Sequence, residues 1–328
     1  MDKKGFNDII TGLAVVLAVL SLILALRTKT ELAAVQQSSV EDELRVQLSQ
    51  AETEIESLRE KQARLEQMLE EKNSESVCRD GNVRSIAHRG LSAEAPENTL
   101  PAFRLAKERG FSSVETDIRF TKDGVPVCLH DGSIDRTGNG SGEVAEMTLE
   151  ELRQYDFGAW MGEEFAGTRI PTFEEFLTLC KNLGLHPCIE LKTGTADQVR
   201  QLVETVNRYG MRGKVSWISF EPALLTYVRW NDSEARLGYL VSDFNMQVIN
   251  TLRGLQSGKN EVFLSSCVYN DWIVEECRKA RIPLEVWTLD TEEQFAAVDP
   301  YITAVTSNCI CYGQYLYEKE LTGNNGNS

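Results

Sequence analysis

Short β-rich runs alternating with amphipathic helical stretches constrain this chain more than any other feature. Strand candidates fall at residues 83–87, 113–120, 187–191, 214–219, 236–241, 261–265, 284–289 and 302–306. Helical patterns lie between them, among others at 99–109, 172–183, 196–209 and 272–280. Apolar residues three or four apart mark the helices, and runs dense in Val, Ile and Leu mark the strands. Strands joined through helices lie parallel and are covered on both faces. Eight such strands over residues 83–320 predict an α/β fold, a closed (β/α)8 TIM barrel. A doubly wound open sheet is the competing arrangement, but the sequence has no glycine-rich nucleotide loop after its first strand.

Two stretches depart from a plain repeat. Thr121-Lys122-Asp123-Gly124 reads as a turn into a second β run at 125–129, which predicts an early hairpin. Residues 135–170, with several glycines and a short helix at 149–155, form an insertion too long for a simple connection.

The N-terminal part follows different rules. Residues 9–26 hold eighteen positions without a charge, flanked by Lys3 and Lys4 before and Arg27 and Lys29 after. At about 1.5 Å per residue this helix just spans a bilayer core. Residues 1–30 are therefore expected to be a single-pass membrane anchor, with a cleaved signal peptide or a buried core helix as rivals. The basic flanks nearly balance, and an extracytoplasmic catalytic domain is the expected orientation. Residues 31–72 read as a coiled-coil stalk. Leu44, Ala51, Leu58 and Leu65 form one seven-spaced row, and Leu48, Ile55, Gln62 and Leu69 another. Such a seam predicts a homodimer, the rival being one solvated helix laced with ion pairs. Residues 73–82 are expected to be a linker and 321–328 a disordered tail.

Charge narrows the function. Lys+Arg total 34 against Asp+Glu 50, a net charge of −16, which argues against nucleic acid as a partner. A small anionic substrate stays open, because a bound cation reverses the local sign. The eight cysteines are scattered, with no C-x-x-C pair, and read as buried thiols.

Ionisable residues gather at predicted strand ends. His88-Arg89 follows the first strand, and His130-Asp131 closes the hairpin run. Glu115 and Asp117 lie two apart, as do Glu190 and Lys192. Residues two apart on a strand share a face, and the C-terminal rim of a barrel is where active sites sit. Taken alone, each pair reads as a solvated rim. Together, three converging carboxylates stay ionised only around a cation, and an all-oxygen set favours Mg2+ or Ca2+ over zinc. Two imidazoles beside a phosphate suit acid–base work, with Arg89 and Lys192 balancing phosphoryl charge. These residues by themselves indicate a metal-dependent hydrolase. His186, at a strand start, falls at the opposite end and reads as structural.

The ordered set is more specific than any member. His88-Arg89-Gly90, Ala95-Pro96-Glu97-Asn98-Thr99, Glu115-Thr116-Asp117, Lys122-Asp123-Gly124-Val125-Pro126-Val127 and His130-Asp131 follow in close succession. Asp135-Arg136-Thr137, Arg169-Ile170-Pro171-Thr172, Glu190-Leu191-Lys192 and Val286-Trp287-Thr288 come later. From Arg84 to near Gly313 the chain resembles the glycerophosphodiester phosphodiesterase family. The resemblance implies a distorted barrel with an insertion after the second histidine. It also implies metal ligands at Glu115, Asp117 and Glu190, acid–base histidines at His88 and His130, and phosphate-binding groups at Arg89 and Lys192. Glu97 would support these residues from behind or cap the helix near Thr99, and Trp287 would line the pocket or belong to the core. The implied activity is hydrolysis of glycerophosphodiesters to sn-glycerol 3-phosphate and an alcohol. Alternatives are a lysophospholipase D, an enzyme trimming polyglycerophosphate, or a membrane-displayed binding module. Near its end the sequence departs from the family's Gly-Ile-Ile-Thr-Asp-x-Pro-like strand, carrying Ala304-Val305-Thr306-Ser307-Asn308 instead.

Overall fold

The computed structural model describes residues 15–27, 45–61, 83–256 and 261–324. Nine strands among the described residues form one sheet. They are β1 (Arg84–Ala87), β2 (Ser113–Phe120), β3 (Pro126–Cys128), β4 (His186–Leu191), β5 (Ser216–Ser219), β6 (Arg236–Val241), β7 (Val262–Ser266), β8 (Leu284–Val286) and β9 (Ile302–Ser307). Eight of them pair in parallel in the order β1-β9-β8-β7-β6-β5-β4-β2, and β1 pairs with β2 to close the barrel. The ninth, β3, runs antiparallel beside β2 and is the expected hairpin arm. β2 buries seven of its eight residues, so it is covered on both faces as a parallel strand must be.

Local chemistry punctuates the repeat. Thr172, Thr195 and Thr291 each open a helix with a reciprocal capping box, closed by Glu175, Gln198 and Gln294. Helix Ala196–Arg208 buries Val199, Leu202, Val203 and Val206, the three-and-four spacing that faces one stripe to the sheet. Gly184 ends helix Phe173–Leu183 in the left-handed conformation at φ 63°.

Inside the barrel, Ile86, Cys188, Ile218, Leu240, Phe263 and Ala304 pack as a plug with Trp287 against it. Gly238 lets that plug close, because a Cβ there would lie 2.3 Å from the Phe263 ring. Toward the strand starts, Glu285 Oε1 accepts from Arg84 Nη2 at 2.5 Å and Arg236 Nη2 at 2.6 Å. His186 Nε2 lies 2.9 Å from Ser216 Oγ in the same layer, the structural place expected of it. The insertion has its own small core of Ile134, Val144, Leu152, Phe157 and Ile170 against Val127 and Leu129.

Some boundaries differ from the sequence pattern. The run at 284–289 is a strand only over Leu284–Val286, and past it Leu289 donates to Thr306 O and Asp290 accepts from Asn308. The final helix spans Tyr312–Asn324, so the predicted tail begins inside it; residues 325–328 lie outside the described residues.

The chain divides into two units, residues 1–75 and 76–328. In the first, residues 15–27 and 45–61 are helical. The rest of the predicted anchor, the rest of the predicted stalk and the linker at 73–82 lie outside the described residues. No helix among the described residues is long and apolar enough to cross a membrane. Over 45–61 the half-buried positions are Leu48, Ala51, Ile55 and Leu58, which fall on the two seven-spaced rows.

Candidate active site

β2 and β4 lie side by side in parallel, with Glu115 opposite Cys188 and Asp117 opposite Glu190. Glu115, Asp117 and Glu190 are buried, and one carboxylate oxygen from each lies within 4.8 Å of the others. Lys192 brings its Nζ to 2.6 Å from Glu190 Oε1 and 3.0 Å from Asp117 Oδ1. Arg89 donates its backbone N–H to Glu115 Oε2 at 2.8 Å, and its Nε lies 3.5 Å from Asp117 Oδ2. Asn98 donates to Asp117 Oδ2 at 2.7 Å. Both Arg89 and Asn98 take left-handed backbone angles, φ 56° and 57°, to make these contacts.

Three carboxylates therefore face two cations. Burial pushes the Glu115 carboxyl well above its ordinary value, and the Asp117 and Glu190 charges push the same way. Burial and Asp117 push Glu190 up to about 7. Burial opposes ionisation of Asp117 too, but Lys192 and Arg89 outweigh it and hold that carboxyl below the usual range. Glu115 Oε1 is buried without a hydrogen-bond partner. A converging all-oxygen donor set with an orphaned oxygen fits a hard divalent cation.

Both histidines line the cleft beside this cluster. The cleft is also lined by Arg89, Lys192, Phe220 and Trp287. Phe220 and Trp287 meet edge to face at 5.8 Å, and Trp287 Nε1 is buried without a partner. Trp287 lines the cleft while packing against the barrel plug, so its two expected surroundings meet at this residue. His88 Nδ1 lies 2.7 Å from Asn308 Oδ1, and His130 Nδ1 lies 2.7 Å from Asp131 Oδ1. Burial lowers the pKa of both rings, and Arg89 adds to this at His88. Neutral imidazole is favoured in each case, the form that accepts a proton.

The structure places every sequence-predicted site residue at this one mouth. Glu97 is there as an ion-pair partner: it accepts from Arg89 at 2.9 Å and from both terminal nitrogens of Arg136 at 2.6 and 2.8 Å. It does not cap the following helix, which Thr99 caps. Arg136 also donates to Asp131 at 2.6 Å, linking Glu97 to the residue behind His130. Sequence reasoning missed Asn98, Arg136, Asp290 and Asn308. Asn98 and Arg136 stood inside quoted motifs, and Asn308 inside the stretch quoted as departing from the family pattern, so their signal was available.

Comparison with known proteins gives concordant results. The profile described as the glycerophosphoryl diester phosphodiesterase family matches residues 88–307. A glycerophosphodiester phosphodiesterase from Caldanaerobacter subterraneus is 34% identical over 226 residues, covering 66% of this chain and 92% of that one. An Oleispira antarctica phosphodiesterase, solved in complex with the product sn-glycerol-3-phosphate, superposes with a TM-score of 0.63. It is 26% identical, with 72% of this chain and 95% of that one covered. The glycerophosphodiester phosphodiesterase of Thermotoga maritima superposes with a TM-score of 0.56 at 25% identity, covering 73% of this chain and 98% of that one.

Proposed function

The chain belongs to the glycerophosphoryl diester phosphodiesterase family, and from that premise we propose that it hydrolyses glycerophosphodiesters to sn-glycerol 3-phosphate and an alcohol. The observation that carries this reading is the convergence of Glu115, Asp117 and Glu190 beside a cleft lined by His88 and His130.

Glu115, Asp117 and Glu190 would hold a divalent cation, Mg2+ or Ca2+, which supplies positive charge to the phosphoryl oxygens when bound. Arg89 and Lys192 add charge from the cleft wall, where exclusion of water strengthens it. One imidazole removes the proton from the attacking oxygen, either of water, which gives glycerol 3-phosphate directly, or of the substrate's glycerol hydroxyl, which gives a cyclic phosphate that a water then opens to glycerol 3-phosphate. As the new O–P bond forms and the P–O bond to the alcohol breaks, the other imidazole protonates the departing oxygen. Trp287 and Phe220 close the cleft against the carbon skeleton, and the free Trp287 Nε1–H is available to a substrate oxygen.

The purified full chain is to be assayed on glycerophosphocholine, with glycerol 3-phosphate measured after chelation and after re-addition of Mg2+ or Ca2+. Metal-restored turnover is expected. Silence with both ions, or turnover indifferent to chelator, would reject the reading.

One observation favours a second substrate, a lysophospholipid. Phe220, Met246, Val268 and Trp272 expose 40%, 49%, 42% and 51% of their surfaces. They stand on the connections after β5, β6 and β7, which are neighbours at the catalytic end. An acyl chain leaving the cleft would meet them. The ratio of rates on lysophosphatidylcholine and glycerophosphocholine decides between the substrates. Membrane attachment through residues 1–30, an extracytoplasmic catalytic unit and pairing through residues 31–72 belong to the same proposal. Support for them comes from the apolar run and the heptad rows. Extraction of membranes with alkali, and sedimentation of the full chain in detergent, test them.

A further inference from the structure

Asn308 follows β9 and reaches across the barrel seam to His88, which follows β1. Its orientation is dictated by Asp290. The Asn308 backbone N–H donates to Asp290 Oδ1 at 2.7 Å, and the Asn308 Nδ2 donates to Asp290 Oδ2 at 2.6 Å. A carboxylate only accepts, so the amide nitrogen must face Asp290 and the amide oxygen must face His88. Ser92 Oγ donates to that same oxygen at 2.9 Å. Ser307 Oγ donates to Asp290 Oδ1 at 3.0 Å and steadies the carboxylate in turn. A carbonyl oxygen cannot donate, so the hydrogen between Asn308 and His88 sits on His88 Nδ1.

We propose that Asn308 and Asp290 are positioning residues that lock His88 in its Nδ1–H tautomer, leaving Nε2 as the lone pair that takes a proton in the reaction. The proposal rests on reading His88 as one of the two acid–base groups. It also separates the roles of the rings. His130 is backed by the carboxylate of Asp131, which stabilises a charged imidazolium. His88 is backed by a neutral amide, which orients the ring without supplying a counter-charge. His88 thus suits the group that takes up the proton of the attacking oxygen, while at His130 the Asp131 contact works against the burial that favours the neutral ring and steadies that ring whenever it carries a proton.

The test uses the full chain labelled with 15N at histidine. The sequence has three histidines, so three imidazole patterns are expected, assigned with His88→Gln and His130→Gln. Long-range 1H–15N correlation is expected to show His88 protonated at Nδ1. Asn308→Leu is expected to shift His88 toward the Nε2–H form. The same variant is expected to lower kcat on glycerophosphocholine roughly 10–100-fold with KM within about twofold. Asp290→Asn, which keeps the volume, is expected to move both readouts the same way, and decides the matter if Asn308→Leu does not fold. An Nε2–H ring in the unmodified protein overturns the proposal, as does a folded variant with unchanged kcat. A wild-type chain with no turnover rejects the hydrolase reading instead, and the tautomer spectrum still decides this one.

Discussion

Lys192 Nζ stands 3.0 Å from Asp117 Oδ1, on a carboxylate that Arg89 approaches through its other oxygen. Asp117 is thereby the one member of the acidic trio held ionised by the protein itself, while Glu115 and Glu190 carry the strain of burial. The trio is a site whose charge balance is left incomplete by its own side chains.

Glu115→Gln separates function from stability. Removal of one carboxylate oxygen is expected to lower turnover by roughly a hundred- to a thousandfold, in line with loss of a group acting at developing charge. Without added metal the variant should melt no lower than the parent, since Glu115 is disfavoured as an anion. A marked drop in the metal-free melting temperature would show that the carboxylate is a structural anchor instead.

Metal uptake should release protons. Raised pKa values mean that the metal-free cluster holds protons near neutrality: Glu190 titrates at about 7, and Glu115 is pushed well above its ordinary value. Cation binding needs both as carboxylates, so on the order of one proton leaves per ion and apparent affinity rises with pH. Calorimetry in two buffers of different ionisation heat measures this. Equal heats in both would contradict it.

At the other end of the barrel, Glu285 links Arg84 and Arg236. Burial opposes its charge, but the two arginines outweigh this and hold its pKa below the ordinary value. A depressed folded pKa gives stability that is present above the unfolded carboxylate range and lost as pH falls through the folded value. Glu285→Gln should therefore cost about 3–5 kcal/mol near pH 7. The gap from the parent should narrow in acid. Denaturant melts at several pH values check the sign.

Gly238→Ala probes the barrel plug. The added methyl would collide with Phe263 at 2.3 Å, in a layer with little room to yield. A loss of about 1–3 kcal/mol is expected, as for other overpacked cores. Adding Phe263→Leu should recover part of it. A neutral single variant would mean that the ring moves aside freely.

The candidate site was legible because strand geometry is periodic. Glu115 and Asp117 share a face by their spacing alone, and each histidine sits where an apolar run stops. Family resemblance then joined stretches that periodicity leaves separate. The partners of Asn308 and Asp290 stayed hidden for the opposite reason. Asn308 lies 220 positions from His88, and nothing local to either residue marks the contact. Arg84, Arg236 and Glu285 were hidden likewise, as charges inside strands whose neighbours are known only once the register is known.

The seam between β1 and β9 joins the first and last barrel strands. During synthesis, even the last of the three carboxylates, Glu190, leaves the ribosome 118 positions ahead of Asn308 (308 − 190). On the proposed role of Asn308, the His88 ring gains its orienting partner only when the last strand docks against the first.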